Sequence, residues 1–223
     1  MTDRPRLTAA RMTGLWVCAL ALLLSAGCES SRELSDRFSS DNPGKNARIL
    51  IGDPRADARR RGMLYLVDRN YGRKPPYTTL YQQIALSDPD ALVRATAIRS
   101  LNRSRDASAT KVFVTALNDP SPLVRLEAVK ALHRVPDPNA IEPLLDIVNN
   151  SDDLQDIRIA AAEALEDYRN FNVGRTLASL LNSKEFGVAW QARRSLKYMT
   201  GKDFDYDETA WLDYLGGPTK PLG

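Results

Sequence analysis

The stretch Asp88–Leu101, DPDALVRATAIRSL, recurs as DPSPLVRLEAVKAL from Asp119, and again, more loosely, as DPRADARRRGMLYL from Asp53 and DDLQDIRIAAAEAL from Asp152. A fifth copy, EFGVAWQARRSL, ends at Leu196. In the first four an arginine follows an aspartate six residues later: Asp53 and Arg59, Asp88 and Arg94, Asp119 and Arg125, Asp152 and Arg158. The arginines are 35, 31 and 33 residues apart, and self-similarity at such a period decides a fold more firmly than local propensity does. Within the copies, Val93, Val124, Ile157 and Val188 open a column that continues at Ala97, Ala128, Ala161 and Ala192 and then at Leu101, Leu132, Leu165 and Leu196. The spacing i, i+4, i+8 is one face of a helix. Asp followed by Pro reads as a helix cap and first helical position at Asp53-Pro54, Asp88-Pro89 and Asp119-Pro120. A second helix follows in each unit, marked by Phe113, Val114 and Leu117, by Leu144, Leu145 and Val148, and by Leu177, Leu180 and Leu181. Two helices per unit, with alanine at the contact column, stack closely and predict an all-α fold, a right-handed α-α superhelix or solenoid of about five helical hairpins.

This repeat resembles HEAT repeats, especially the short HEAT-like units also seen in phycobilisome bilin lyases. The resemblance runs from about Ile49 to Leu215 and rests on the motif Asp-Pro-x3-Val-Arg-x2-Ala-x2-Ala-Leu. It implies that the recurring Asp and Arg are scaffold residues that tie one repeat to the next. Ala189 stands where the arginine is expected and Arg193 where an aliphatic is expected, which marks a terminal, capping repeat whose outer face meets water. The following segment, Met199 through Trp211, resembles a closing motif of bacterial HEAT-repeat proteins, which implies that Phe204, Tyr206, Trp211 and Leu215 cover the open end of the core. Asp203, Asp205 and Asp207 alternate as the acids of an EF-hand loop do. That loop needs glycine at its sixth position and an acid at its twelfth, and here those are Glu208 and Tyr214.

Ahead of the repeats, Arg4, Arg6 and Arg11 precede LWVCALALLL at Leu15–Leu24, an uncharged run half the length of the roughly 20 residues that span a bilayer. It reads as a signal peptide. The next residues, Leu24-Ser25-Ala26-Gly27-Cys28, resemble the lipobox of bacterial lipoproteins at every position. The resemblance implies cleavage before Cys28 and a diacylglycerol on its thiol, hence a membrane-held protein facing the periplasm or exterior. Two acyl chains hold a protein stably where one does not. The expected organisation is a signal peptide at 1–27, a Ser-rich charged tether at 28–48, repeats at 49–198 and a closing segment and tail at 199–223. Removing residues 1–27 discards Cys18 with three arginines and Asp3, and leaves 28 basic against 27 acidic residues. A near-neutral chain gives no reason to expect nucleic acid, and one cysteine carrying lipid leaves no thiol for redox or metal chemistry.

No Gly-rich phosphate loop, His-Glu-x-x-His pair or nucleophile elbow occurs. The single histidine, His133, falls in the expected loop after a repeat's first helix and reads as a solvated residue without a partner. The sequence therefore predicts no enzyme, catalytic residue, metal or cofactor. It predicts a binding module for a protein or peptide of the cell envelope, with a groove along the second helices whose wall includes Lys111, Thr115, Glu142, Asp146 and Arg175. The alternative from the family resemblance is a bilin-lyase-like or chaperone-like protein acting on a bound ligand. A cluster of Arg55, Arg59, Arg60, Arg61, Arg69, Arg73 and Lys74 stands against Asp57 and Asp68 and predicts a basic patch near the anchor, where anionic headgroups add roughly 1 kcal/mol per cation.

Overall fold

The computed structural model describes residues 42–217 and 221–222. The chain divides into residues 1–45 and a compact unit, Asn46–Gly223. Cys28, the expected signal peptide and most of the expected tether lie outside the described residues. Among those described, the structure is helical throughout: α1 Pro43–Gly52, α2 Ala56–Val67, α3 Tyr77–Ser87, α4 Ala91–Ser104, α5 Thr110–Ala116, α6 Pro122–Arg134, α7 Ile141–Asn149, α8 Gln155–Ala164, α9 Phe171–Ser179, α10 Phe186–Thr200 and α11 Glu208–Gly216. None of them is long and apolar enough to cross a membrane.

Helices α2, α4, α6 and α8, which carry the motif arginine, and α10, which has Ala189 in its place, lie side by side in one layer, the arginine-motif layer, each packed on the next. The column that begins at Val93 is wholly inside this layer: every valine, isoleucine, alanine and leucine in it is buried, to 1% exposure or less. Alanine in the middle of the face is what lets neighbouring backbones approach, and that closeness is why the column reads so cleanly in the sequence. The other layer, α3, α5, α7 and α9, contributes Tyr81, Phe113, Leu144 and Leu177, all fully buried.

The pairing of the two layers differs from the sequence expectation. From α4 onward each helix of this layer packs tightly on the helix that precedes it, α3 on α4, α5 on α6, α7 on α8 and α9 on α10, and only weakly on the one that follows. The structural hairpin thus runs from an outer helix into an arginine-motif helix through the Asp-Pro turn. Apolar periodicity is identical for either grouping, so it could not distinguish them. Successive helices of the outer layer touch far less than those of the arginine-motif layer, which places the latter on the inner side of the stack.

The aspartates are not helix caps. Asp53, Asp88 and Asp119 each accept the amide two residues on, from Arg55 at 2.9 Å, Asp90 at 2.9 Å and Ser121 at 2.8 Å, an Asx turn that the intervening proline's fixed φ favours. The helices begin later, α4 being capped by Asp90, whose Oδ1 accepts the Val93 amide at 3.0 Å. The carboxylates of Asp88 and Asp119 are turned out of the cap position because each faces an arginine of the preceding hairpin, Arg59 and Arg94, while that of Asp53 pairs with Arg55.

At the far end α10 stops at Gly201, which takes φ 69°, a left-handed conformation that suits glycine. The chain then folds back, and Trp211 and Leu215 of α11 are buried with Leu222. Phe204 meets Trp211 edge-on at 5.0 Å between ring centres and tilts against Tyr214. Tyr206 packs on the core as well. The four residues expected to close the core thus do so, with α11 packed on α9. Gly174 makes the approach possible, since a Cβ there would come within 2.6 Å of Leu222 and 3.2 Å of Leu215.

Candidate interaction surface

A ladder of charge pairs fixes the register in which the hairpins meet. Arg59 donates through Nε and Nη2 to both carboxylate oxygens of Asp88, at 2.8 Å each, and through Nη1 to the carbonyls of Asp53 and Pro54. Arg94 repeats the arrangement on Asp119 at 2.8 Å and 2.8 Å and on the carbonyls of Asp88 and Pro89. Arg125 does so on Asp153 at 3.2 Å and 2.7 Å. Arg158 closes the series on Glu185, with Nε on the Val148 carbonyl. Each planar fork matches one carboxylate and one turn. The scaffold role expected of these residues is what the geometry provides, with one correction: the acceptor in the fourth turn is Asp153 and not Asp152. That turn lacks the proline of the others and is closed by Asn150, whose side chain takes the Asp152 amide, so the carboxylate facing Arg125 comes one residue later. Burial alone would raise the Asp119 carboxyl, but the Arg94 fork, the Ser121 amide and the nearby Arg94 and Arg125 charges together hold it below the usual value.

The expected basic patch is largely taken up by local partners. Arg59 is buried in the ladder, which removes it from any membrane-facing surface. Arg55 pairs with Asp53, whose carboxyl its side-chain and backbone hydrogen bonds help to lower to about 2. Arg60 pairs with Asp57. Arg73 donates to the Val67 carbonyl, and Arg69 donates to that of Tyr65 and lies over its ring. Arg61 and Lys74 stand exposed.

The expected groove residues are exposed on the outer layer: Lys111 and Thr115 on α5, Glu142 and Asp146 on α7, Arg175 on α9. The structure does not gather them into one site. Asp146 borders an open hollow of about 400 Å³ whose other walls include Pro120, Arg125 and Asp153 of the ladder.

His133 is a correction. Helix α6 runs on through Arg134, so His133 is in its last turn, half-buried, with Nδ1 2.9 Å from Asp167 Oδ2. Beside it Glu166 is buried, accepts a hydrogen bond from Ser195 Oγ at 3.3 Å, and has its carboxyl raised by that burial against the opposing pull of Arg194 and His133. The alternating acids of the tail are engaged internally: Asp203 takes Arg193 and Lys197, Asp205 takes Arg193, and Asp207 caps α11. Among the described residues no group of His, Cys, Asp or Glu side chains is placed to hold a metal ion.

The surface that the sequence reading missed is on the inner layer. Because the ladder aligns the hairpins, residues equally distant from the motif arginine stand side by side. The position just after it carries Leu126, Ile159 and Trp190, and the position two before it carries Leu92 and Leu123. Leu92 is 47% and Trp190 48% exposed, and Phe186 at the start of α10 is 72% exposed. Four or five residues beyond the motif arginine comes a charged row, with Arg99 paired to Glu127 of the next hairpin at 2.7 Å and Arg194 to Glu163 at 3.1 Å. Leu123, Leu126 and Ile159 are partly buried against the edge of the core, and Leu92 and Trp190 stand out of it.

Residues 79–166 match the HEAT repeats family, a span that begins within α3 and ends just after α8 and so holds three of the structural hairpins. The fold is an α solenoid, with HEAT repeats over the matched residues. Solved structures agree: the Escherichia coli protein YibA is similar with a TM-score of 0.59 and 22% identity over 87% of this chain and 77% of its own. An engineered protein is similar with a TM-score of 0.56 and 18% identity over 82% of this chain and 92% of its own. Identities this low speak for the solenoid architecture alone. No curated protein matches the sequence.

Proposed function

We propose that this HEAT-repeat chain is a membrane-tethered interaction module of the bacterial cell envelope, held by lipid on Cys28 and presenting its solenoid to a protein or peptide partner in the periplasm or exterior. One observation carries the binding role. The inner layer exposes Leu92 at one end and Trp190 at the other among the described residues, with Leu123, Leu126 and Ile159 partly buried against the core between them. Exposed apolar side chains grouped on one face, more than scattered single ones, mark interaction sites. The lipobox residues support the tether. A ligand-processing role would be expected to use a deep apolar pocket with converging polar groups, whereas the hollows beside Asp146 and beside Trp190 are open to solvent.

Crosslinking in intact membranes tests the reading, with a Cys28→Ser chain that cannot be lipidated as control. A single envelope protein recovered with the wild type and lost with the control is the expected outcome. Recovery of nothing specific in either sample would remove the module reading.

A further inference from the structure

The geometry points to the chemistry of the partner: an acidic, amphipathic segment that lays an apolar side along the inner row and its carboxylates on the cations beside it. The inference rests on the interaction-module reading and goes beyond it by naming the face and the charge of its occupant.

The argument is one of unequal exposure. Glu127 is the acid closest to both Arg99 and Lys130, at 2.7 Å and 4.0 Å, yet its own side chain is 7% exposed while theirs are 57% and 53% exposed. One buried carboxylate therefore serves two cations whose charged ends face solvent. Arg134 is exposed one turn further along the same helix, and Arg103, one turn beyond Arg99, is half exposed over Asp68. Past Glu163, a half-buried acid that interrupts this edge and pairs with Arg194, the residues Arg193, Arg194 and Lys197 surround Trp190 in an open hollow of about 210 Å³, with Asp203 shared by Arg193 and Lys197 behind it and the Arg194 guanidinium 5.9 Å from the indole centre. An aromatic floor ringed by cations takes an apolar side chain flanked by carboxylates. It repels the same segment carrying lysines, because like charges would be brought together as the surface desolvates.

The size of the face fixes the length of the segment. The row crosses α4, α6, α8 and α10, and helices packed at about 8–10 Å put about 30 Å between the first and the last. A helix of about 20 residues has that length.

The test uses two fluorescein-labelled synthetic peptides of 20 residues, with leucine at the same helical spacing in both. Glutamate fills the remaining exposed positions of one and lysine those of the other. Anisotropy titrations are made on the full-length chain in mild detergent. The glutamate peptide is expected to bind at least about tenfold tighter than the lysine peptide, to weaken as salt shortens the screening length, and to protect Trp190 from acrylamide quenching. Trp190→Glu, and separately Lys130→Gln with Arg134→Glu, are each expected to weaken it about tenfold or more. Lys111→Glu on the outer layer should leave it unchanged, all variants keeping the wild-type helical spectrum and melting curve. Equal binding of the two peptides overturns the inference, as does indifference to Trp190→Glu, or a concentration-dependent mass showing that a second copy of the chain covers the face. The two proposals fail separately. A membrane partner that crosslinks to wild type and to Trp190→Glu alike overturns the face and charge assigned here and leaves the module standing, whereas a membrane with no partner removes the module itself.

Discussion

Replacing Asp119 by alanine strikes the ladder at a fully formed link. The change removes both acceptors of the Arg94 fork, each at 2.8 Å, and the acceptor of the Ser121 amide at 2.8 Å. Arg94 then keeps only the carbonyls of Asp88 and Pro89 while its side chain stays 13% exposed. Removing one partner of a buried ion pair costs about 3–5 kcal/mol. The two remaining carbonyls and the partial exposure put the expected loss at the low end, about 3 kcal/mol. Arg94→Met removes the other partner, and the double variant should recover part of the sum, with a coupling of about 1–3 kcal/mol. Urea unfolding followed by circular dichroism reads both quantities. Losses below about 1 kcal/mol in each single variant, adding in the double, would refute the view that these pairs hold the hairpins in register. The link also has a pH signature. The Asp119 carboxyl is held below its ordinary 3.8 in the fold, so its contribution is fully present above that pH and is lost as pH falls through the lowered value. Stability of the wild type should therefore fall more steeply below pH 4 than that of Asp119→Ala.

Glu166 is expected to behave in the opposite sense. Its carboxyl is raised above the ordinary 4.5, so it favours the fold below that pH and the advantage is lost as pH rises through the raised value. Glu166→Gln should then shift the urea midpoint upward at pH 7 and leave it nearly unchanged below pH 4, and an unchanged midpoint at pH 7 would count against the burial argument. Ala128→Leu places an extra branch in the contact column where Ala128 has no exposed surface, with an expected loss of about 1–3 kcal/mol by overpacking in the same unfolding assay. Trp211→Ala opens the closing end of the core and should lower stability by about 3–5 kcal/mol, with the near-ultraviolet dichroism of the tail aromatics collapsing first.

The parts of this molecule legible in its sequence are those where one residue type has one place to go. The Val–Ala–Leu column is such a case, because alanine at 97, 128, 161 and 192 can serve only a close backbone approach, and all four are buried. The closing role of Trp211 and Leu215 was legible for the same reason. What eluded the reading depends on direction rather than composition. Periodicity does not say whether α4 belongs with α3 or with α5, and so leaves the pairing of the two layers open. The basic run from Arg55 to Lys74 looked like a patch because charge counting ignores where a guanidinium points, and Arg59 points into the ladder. His133 was placed in a loop since nothing local marks the extra turn that α6 makes before Val135.

Every link of the ladder runs from the arginine of one hairpin to the carboxylate of the next, so the molecule has a direction and its length is written into it. A hairpin that offers an arginine requires a successor. At position 189 alanine stands in that place, buried near the tail, and the requirement ends there. A unit copied within the array would bring one donor and one acceptor and would splice in without stranding a charge. A hairpin removed from the closing end would leave an arginine facing nothing. The reach of the scaffold can thus change in whole internal steps of about 10 Å while its two ends stay as they are.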